Sequence, residues 1–524
     1  MRRRAGAVAL VTVVALAGAA CSGGDGTDAG TGGGPGTGRP ATTTTAAPPG
    51  APPEYVAHPG DWVLPGADYD NTRRAPASRI TSENVDRLQP AWEAEVGGAL
   101  STVPLIVGDT VYVQDGSTAI HAFDRATGAT RWTAPGTGFS IGPFGVAVAD
   151  GRVFGVHGSD GIRAVDAGTG EELWTRRITA TPTGGVDIQP LVYGDLVLVS
   201  TVPVSVGGIY AGGDRGILHA LDAATGQDRW TFDTVDSPDV WGNPRVNSGG
   251  GAWYPPAVDP GRGVVHWGVA NPAPFPGTPE FPNGSSRPGD NLYTNSVLTL
   301  GIEDGALRWY HQVHPHDLFD RDLVHTMIVR DAERGDTVIG TGKGGVVVGL
   351  DPRTGERRWR TEVGVHRNDD LTRLEGPTEV APGTYGGVLT PPATADGVVY
   401  VATVDSPVEL RPDETAYFGA PMGVNDGEVT AIDAATGDVL WEADVPGDPL
   451  GGVAVVNDLL FTALLDGTVL ALDRDDGAIV WRTTAPGGIN GWMTAADDLL
   501  VVPAGNATPP RLVAYRLPPG DGSG

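Results

Sequence analysis

The sequence predicts an all-β chain folded as an eight-bladed β-propeller of four-stranded antiparallel blades, and three observations carry that expectation. One phrase recurs along the chain: AFDRATGATRW (122–132), AVDAGTGEELW (164–174), ALDAATGQDRW (220–230), GLDPRTGERRW (349–359), AIDAATGDVLW (431–441) and ALDRDDGAIVW (471–481). A seventh copy, TLGIEDGALRW (299–309), carries Gly301 in place of the aspartate. Upstream of each copy lies a further pair of apolar segments, such as PLIVGDTVYVQDG, PLVYGDLVLVS or NDLLFTALLDG, so each unit holds about four strands. The tryptophan series 132, 174, 230, 309, 359, 441 and 481 extends back to Trp92, forty residues before Trp132, which brings the number of units to eight.

Within a copy, alternating apolar residues lead into the aspartate, whose side chain caps its own turn, and the glycine four residues before the tryptophan supplies a positive φ. The tryptophan reopens the chain as the next strand and serves as blade-to-blade packing. Units of this kind cannot bury both faces alone, and radial stacking closes them into a ring. The terminal strand around Leu512 to Leu517 is expected to complete the blade begun near Trp92.

Taken in chain order, residues 1–20 read as an export signal: Arg2, Arg3 and Arg4 precede the short apolar run Val8 to Leu16, and small residues follow. Gly18, Ala19 and Ala20 before Cys21 resemble the lipobox of bacterial lipoproteins, which makes Cys21 the expected lipidation site. The alternative is ordinary cleavage after Ala17-Gly18-Ala19, leaving a free thiol. Residues 21–60, rich in Gly, Thr and Pro, lack the apolar groups to offset their ordering entropy and are expected to be a solvated tether. The propeller is expected over 61–518, with 519–524 as a tail. The expected location is therefore the outer face of the cell membrane through a lipid anchor, or otherwise secretion.

Composition narrows the chemistry. Cys21 is the single cysteine, so an internal disulfide, a cysteine zinc site, an iron–sulfur cluster and a c-type haem attachment are all excluded. A net charge of −29 repels phosphate backbones, and no nucleic-acid partner is expected. Of 35 basic residues only Lys343 is a lysine.

One stretch breaks the repeat. Between Trp230 and Trp309 lies an insert rich in Gly, Pro and Asn, and function concentrates in such loops. It reads GGGAWYPPAVDPGRGVVHWGVANPAPFPGTP (249–279) and RPGDNLYTNS (287–296); RWYHQVHPHDLFDRD (308–322) follows, and the next repeat opens with GKGG (342–345). His311, His314, His316 and His325 gather within fifteen residues and raise zinc as an alternative, although Pro315 interrupts strand geometry.

These motifs, with DWVLPGADYDNTRRAP and ITSENVDRLQPAW near the start, resemble the quinoprotein alcohol dehydrogenases, eight-bladed propellers that use pyrroloquinoline quinone (PQQ) and a metal to oxidise alcohols outside the cytoplasm. The resemblance covers roughly residues 61 to 517. It implies that Trp253 is the tryptophan on which the quinone ring stacks and that Asn271, of NPAP, is a metal ligand. It implies that Asp320, the last residue of PHDLFD, is the catalytic base and also meets the metal. Asp322 matches the additional metal-binding aspartate of lanthanide-using members, and Lys343 the residue hydrogen-bonded to the reactive quinone carbonyl. Calcium or a lanthanide is the implied ion, since hard cations take oxygen ligands.

Two positions depart from the pattern. Aligning Arg215-Gly216 with the family's R-G pair puts Ala211 where the family has a metal-binding glutamate, with Asp214 three residues on, and Ser101 falls near another family glutamate. Asp290 of RPGDN reads as a loop brace. The expected function is an extracytoplasmic PQQ- and metal-dependent dehydrogenase of alcohols or related hydroxyl compounds, passing electrons to a separate acceptor such as a cytochrome c. The alternative is a non-enzymatic, lipid-anchored propeller acting as a binding or assembly scaffold with a degenerate quinone site.

Overall fold

A computed structural model describes residues 47–140, 142–206, 209–415 and 422–519. The export signal, Cys21 and all but the first residue of the expected tail lie outside these residues.

Eight four-stranded antiparallel sheets account for the repeats. The innermost strands are short and fully buried, as in Leu105–Val107, Val146–Ala149 and Ala454–Val456, whereas outermost strands such as Thr130–Ala134 and Glu172–Arg177 alternate between half-buried and exposed. Burial thus increases toward a common axis, the property that distinguishes a ring of blades from a flat stack. Ring closure is as expected: Gln89–Glu95 pairs with Arg511–Arg516 and forms the outer strand of the last blade.

The tryptophans lock neighbouring blades. The indole N–H groups of Trp92, Trp132, Trp174, Trp230, Trp309, Trp359 and Trp441 each donate to a backbone carbonyl in the turn of the next repeat, at Arg125, Ala167, Ala223, Ile302, Pro352, Ala434 and Arg474. Each ring also lies over the glycine of that turn. At Gly437, with φ +80°, a Cβ would sit 2.7 Å from the Trp359 ring, so both conformation and space demand glycine there. The preceding aspartate caps the turn: Asp124 Oδ1 accepts from the backbone N–H groups of Ala126 and Thr127 at 3.1 and 3.0 Å.

Residues 62–79 run across one mouth of the ring. They exchange backbone hydrogen bonds with inner strands of five blades, at Ile106, Val258, Ile328, Thr394 and Val455, and Arg79 donates its N–H to Asp497 O. Trp62 and Arg73 are buried in this plug.

The tether boundary needs correction. Residues 47–60 lie against the propeller: Pro53–Ala57 form a short helix, Glu54 accepts from the N–H groups of Asp150 and Gly151, and Tyr69 Oη donates to Gly50 O at 2.6 Å. The reason is local: Tyr55 and Glu54 give this end of a Pro-rich segment an apolar ring and a carboxylate to anchor it. Among the described residues no helix is long and apolar enough to cross a membrane.

Candidate active site

The irregular insert is braced by one buried cation. Arg287 of RPGDN, fully buried, donates from Nε and Nη2 to Pro274 O of NPAPF at 3.1 and 3.0 Å, from Nη2 to Asp317 O of PHDLFD at 2.6 Å, and from Nη1 to Asn291 Oδ1 at 2.7 Å. The three motifs singled out in sequence are therefore one hydrogen-bonded unit. Asp290 contributes its carbonyl, which accepts from Gln312 Nε2 at 2.7 Å and from the His316 N–H.

Asp317 then sets the turn that presents the next two carboxylates. Its oxygens accept from the N–H groups of Phe319 and Arg321, both at 2.8 Å, and Asp320 takes a left-handed conformation with φ 63°. A non-glycine residue in that region is held at a cost of order 1–3 kcal/mol, and such residues cluster at functional sites. Asp322 is fully buried, and its Oδ1 accepts from the backbone N–H of Asn271 at 2.9 Å. Its own carbonyl accepts from Lys343 N at 3.0 Å, which docks the GKGG turn alongside.

Lys343 closes the constellation. Its ammonium donates to Asp320 Oδ2 at 2.9 Å and forms an ion pair with Asp322 Oδ2 at 2.6 Å, so that it bridges both carboxylates. The same ammonium stands 4.9 Å from the centroid of the Trp253 ring, within reach of its negative face. Trp253, Asn271, Asp320, Asp322 and Lys343 are thus assembled in one place.

Burial dominates the electrostatics. It pushes the Asp320 carboxyl well above the usual carboxylate range; Lys343 opposes this shift and Asp322 adds to it. Burial also raises Asp322, again against Lys343. Burial would lower Lys343, but the two carboxylates hold it above its ordinary value.

Asp214, three residues on from Ala211, has its carboxylate engaged by the Thr181 hydroxyl, and its Oδ2 is buried without a hydrogen bond. The four histidines go separate ways. His311 lies on the outer strand Leu307–Gln312, His314 neighbours Arg321, His316 is held by Gly289 O and Asn283 O, and His325 packs on Tyr254 with ring centroids 4.1 Å apart.

Asp187 was missed in sequence. Its Oδ1 is sealed from solvent without a hydrogen bond, and burial raises its carboxyl, with a further push from the charge of Asp322. Its place in the repeat carries no chemical signature of its own. Ser101, Asp187 and Trp253 each stand four residues before the first inner-strand residue of their blade, at Leu105, Leu191 and Ala257.

Among the described residues, no three His, Cys, Asp or Glu side chains gather to hold a metal by themselves. The donor chemistry still suits a hard cation. Asp320, Asp322 and the Asn271 side-chain amide are oxygen donors, Asp187 Oδ1 is a buried carboxylate oxygen lacking a hydrogen bond, and carboxylates outnumber the single ammonium. Lys343 over the Trp253 face likewise suits a planar, anionic cofactor.

Comparisons with known proteins bear on the family and the fold. A family model described as glucose/ethanol/alcohol dehydrogenase, beta-propeller domain, matches residues 182–339, and one described as outer membrane protein assembly factor BamB matches 83–249 and 425–517. The dehydrogenase subunit of the alcohol dehydrogenase (quinone) of Gluconobacter oxydans (strain 621H) is 27% identical, over 57% of this chain and 44% of that protein. The lanthanide-dependent methanol dehydrogenase of Methylacidiphilum fumariolicum (strain SolV) is 27% identical over 70% of this chain and 69% of that one. The chain spans about half the length of the first curated relatives it matches, 44% and 56%. In fold, the crystal structure of the quinohemoprotein alcohol dehydrogenase of Comamonas testosteroni superposes with a TM-score of 0.76 at 20% identity, covering 88% of this chain and 81% of that one.

Proposed function

The chain belongs to the PQQ-type β-propeller family, and from that premise we propose that it is an extracytoplasmic, PQQ- and metal-dependent dehydrogenase oxidising an alcohol or related hydroxyl compound. The observation that carries this reading is the convergence of Asp320, Asp322 and Lys343 beside the face of Trp253. Electrons would pass to a separate acceptor such as a cytochrome c. Cys21 would carry the lipid that holds the protein at the outer face of the membrane.

The residues divide the work as follows. Trp253 offers an aromatic face for the quinone, Lys343 a hydrogen-bond donor to its carbonyl oxygen, and Asn271, Asp320 and Asp322 oxygen donors to calcium or a lanthanide. When bound, the quinone supplies a hydride acceptor and the cation a Lewis acid that polarises the accepting carbonyl. Asp320 accepts the hydroxyl proton as the alcohol carbon gives up its hydride, leaving an aldehyde or ketone. Asn271, through its backbone N–H, fixes the rotamer of Asp322, and Arg287 keeps the Asp320 turn from drifting.

A second reading is favoured by Ala211 and by the ammonium already bridging both aspartates: a lipid-anchored scaffold with a degenerate site, in keeping with the match to the BamB family model. Titration of the purified protein with PQQ and either calcium or lanthanum, followed by quinone absorbance and dye-coupled alcohol oxidation, separates the two. Turnover that is lost in Asp320→Ala supports the dehydrogenase. Absence of quinone binding with either metal refutes it and supports the scaffold.

A further inference from the structure

We propose that the plugged mouth of the propeller holds a second binding site, for one small monovalent anion of halide size, built on Arg73, Trp492 and a cavity beneath Tyr254. Arg73 belongs to the plug and is 2% exposed. Its Nε donates to Val453 O, while Nη1 and Nη2 have no hydrogen-bond partner. The indole nitrogen of Trp492, in a fully buried ring, is likewise unpartnered. Both groups meet around Gly452: the point a Cβ would occupy there lies 2.9 Å from Trp492 Nε1 and 3.1 Å from Arg73 Nη2. Arg73 Nη2 and Trp492 Nε1, both without a hydrogen-bond partner, are thus neighbours beside Gly452, where a side chain of any kind would collide with the indole and where φ is +63°.

Arg73 also lines a cavity of about 30 Å³, walled by Tyr254, His325, Thr326, Met327 and Pro392. That is room for an occupant one or two water molecules in size, too small for a tetrahedral oxyanion with its hydration. Among the described residues no ion pair neutralises the guanidinium. Burial depresses its pKa to about 9 against the opposing influence of Tyr254, whose hydroxyl donates to Leu389 O at 2.9 Å. A buried, unpaired charge with idle donors is among the costliest arrangements in a protein, and a weakly hydrated anion removes both costs together. Tyr254 also feels the charges of Lys343 and Asp322, so the anion would sit one residue from the Trp253 face without belonging to the cofactor site.

The test uses the folded protein without quinone or metal. Thermal unfolding at matched ionic strength is measured in gluconate, chloride and bromide, and crystals soaked in bromide are examined for anomalous density. The site predicts a Tm higher by about 3 °C or more in the halides, with a bromide peak beside Arg73. Arg73→Gln should abolish the halide response, and Trp492→Phe should shift its half-saturation upward about tenfold. Equal Tm in all three salts with waters alone beside Arg73 would overturn the proposal, as would an undiminished response in Arg73→Gln. If Arg73→Gln does not fold, Trp492→Phe and the bromide map on the unaltered chain decide the matter.

Discussion

The rim and the axis of this propeller treat their polar groups in opposite ways. On the rim, the repeat consumes its own polarity: Arg131 and Thr127 hold the Asp124 carboxyl down at about 2, and each locking indole finds a carbonyl in the next blade. At the axis, burial drives Asp187, Asp320 and Asp322 upward, and Asp187 Oδ1, Arg73 and Trp492 retain buried atoms with no hydrogen bond. Repeat turns satisfied in place need no ligand. An axis with surplus donors and acceptors is completed only by what it binds.

Substitutions can break that contrast if it is wrong, and the largest effect belongs to the axis. Asp320→Asn should lower kcat/KM for the alcohol about 10³-fold while leaving Tm nearly unchanged, because Lys343 keeps Asp322 as a partner. Steady-state kinetics beside thermal unfolding checks both halves; a collapse of Tm would make Asp320 a rim-like structural residue. The next effect belongs to the rim. Gly437→Val puts a branched side chain at φ +80° and 2.7 Å from the Trp359 ring, and should cost about 3 kcal/mol in denaturant unfolding. A smaller loss is expected from Trp359→Phe, which removes the 3.0 Å bond to Ala434 O and part of a buried ring, about 1–2 kcal/mol. Trp253→Phe is its axial counterpart: quinone affinity should fall while Tm holds.

The rim was legible because it is periodic. Seven copies of one phrase specify the glycine and the tryptophan, six of them also the turn aspartate, and the structure uses each as the repeat implies. The central quintet, Trp253, Asn271, Asp320, Asp322 and Lys343, was legible through motif resemblance, since those residues break the period. What escaped is what neither route encodes. Asp187 sits at a repeat position where Ser101 and Trp253 are chemically unrelated to it, so period alone does not announce its role. Arg73 lies in an aperiodic plug, and its idle guanidinium becomes visible only once residues 62–79 are laid across the ring. The helix at 53–57 escaped because Gly, Thr and Pro around it masked the two residues that anchor it.

The finest test compares two aspartates by the sign of their pH dependence. On the rim, burial would raise Asp351, but Arg358 at 2.8 Å and the N–H groups of Arg353 and Thr354 outweigh it and hold the carboxyl below its ordinary value. The folded state then binds this proton more weakly than the unfolded chain. The stabilisation is present above pH ~4 and lost as pH falls through the lower folded value. Asp351→Asn should therefore lower Tm at pH 7 by about 1–2 °C, and the gap should close in acid. At the axis the sign reverses. Burial raises Asp187, so its contribution is favourable below pH ~4 and lost as pH rises through the folded value. Asp187→Asn should raise Tm at pH 7 in the absence of ligand by about 2 °C, with the gap opening as pH climbs. Parallel Tm curves between pH 3 and 8 decide it. Two gaps of the same sign would mean that Asp187 is satisfied as the rim is, and that the surplus at the axis is smaller than three raised carboxylates imply.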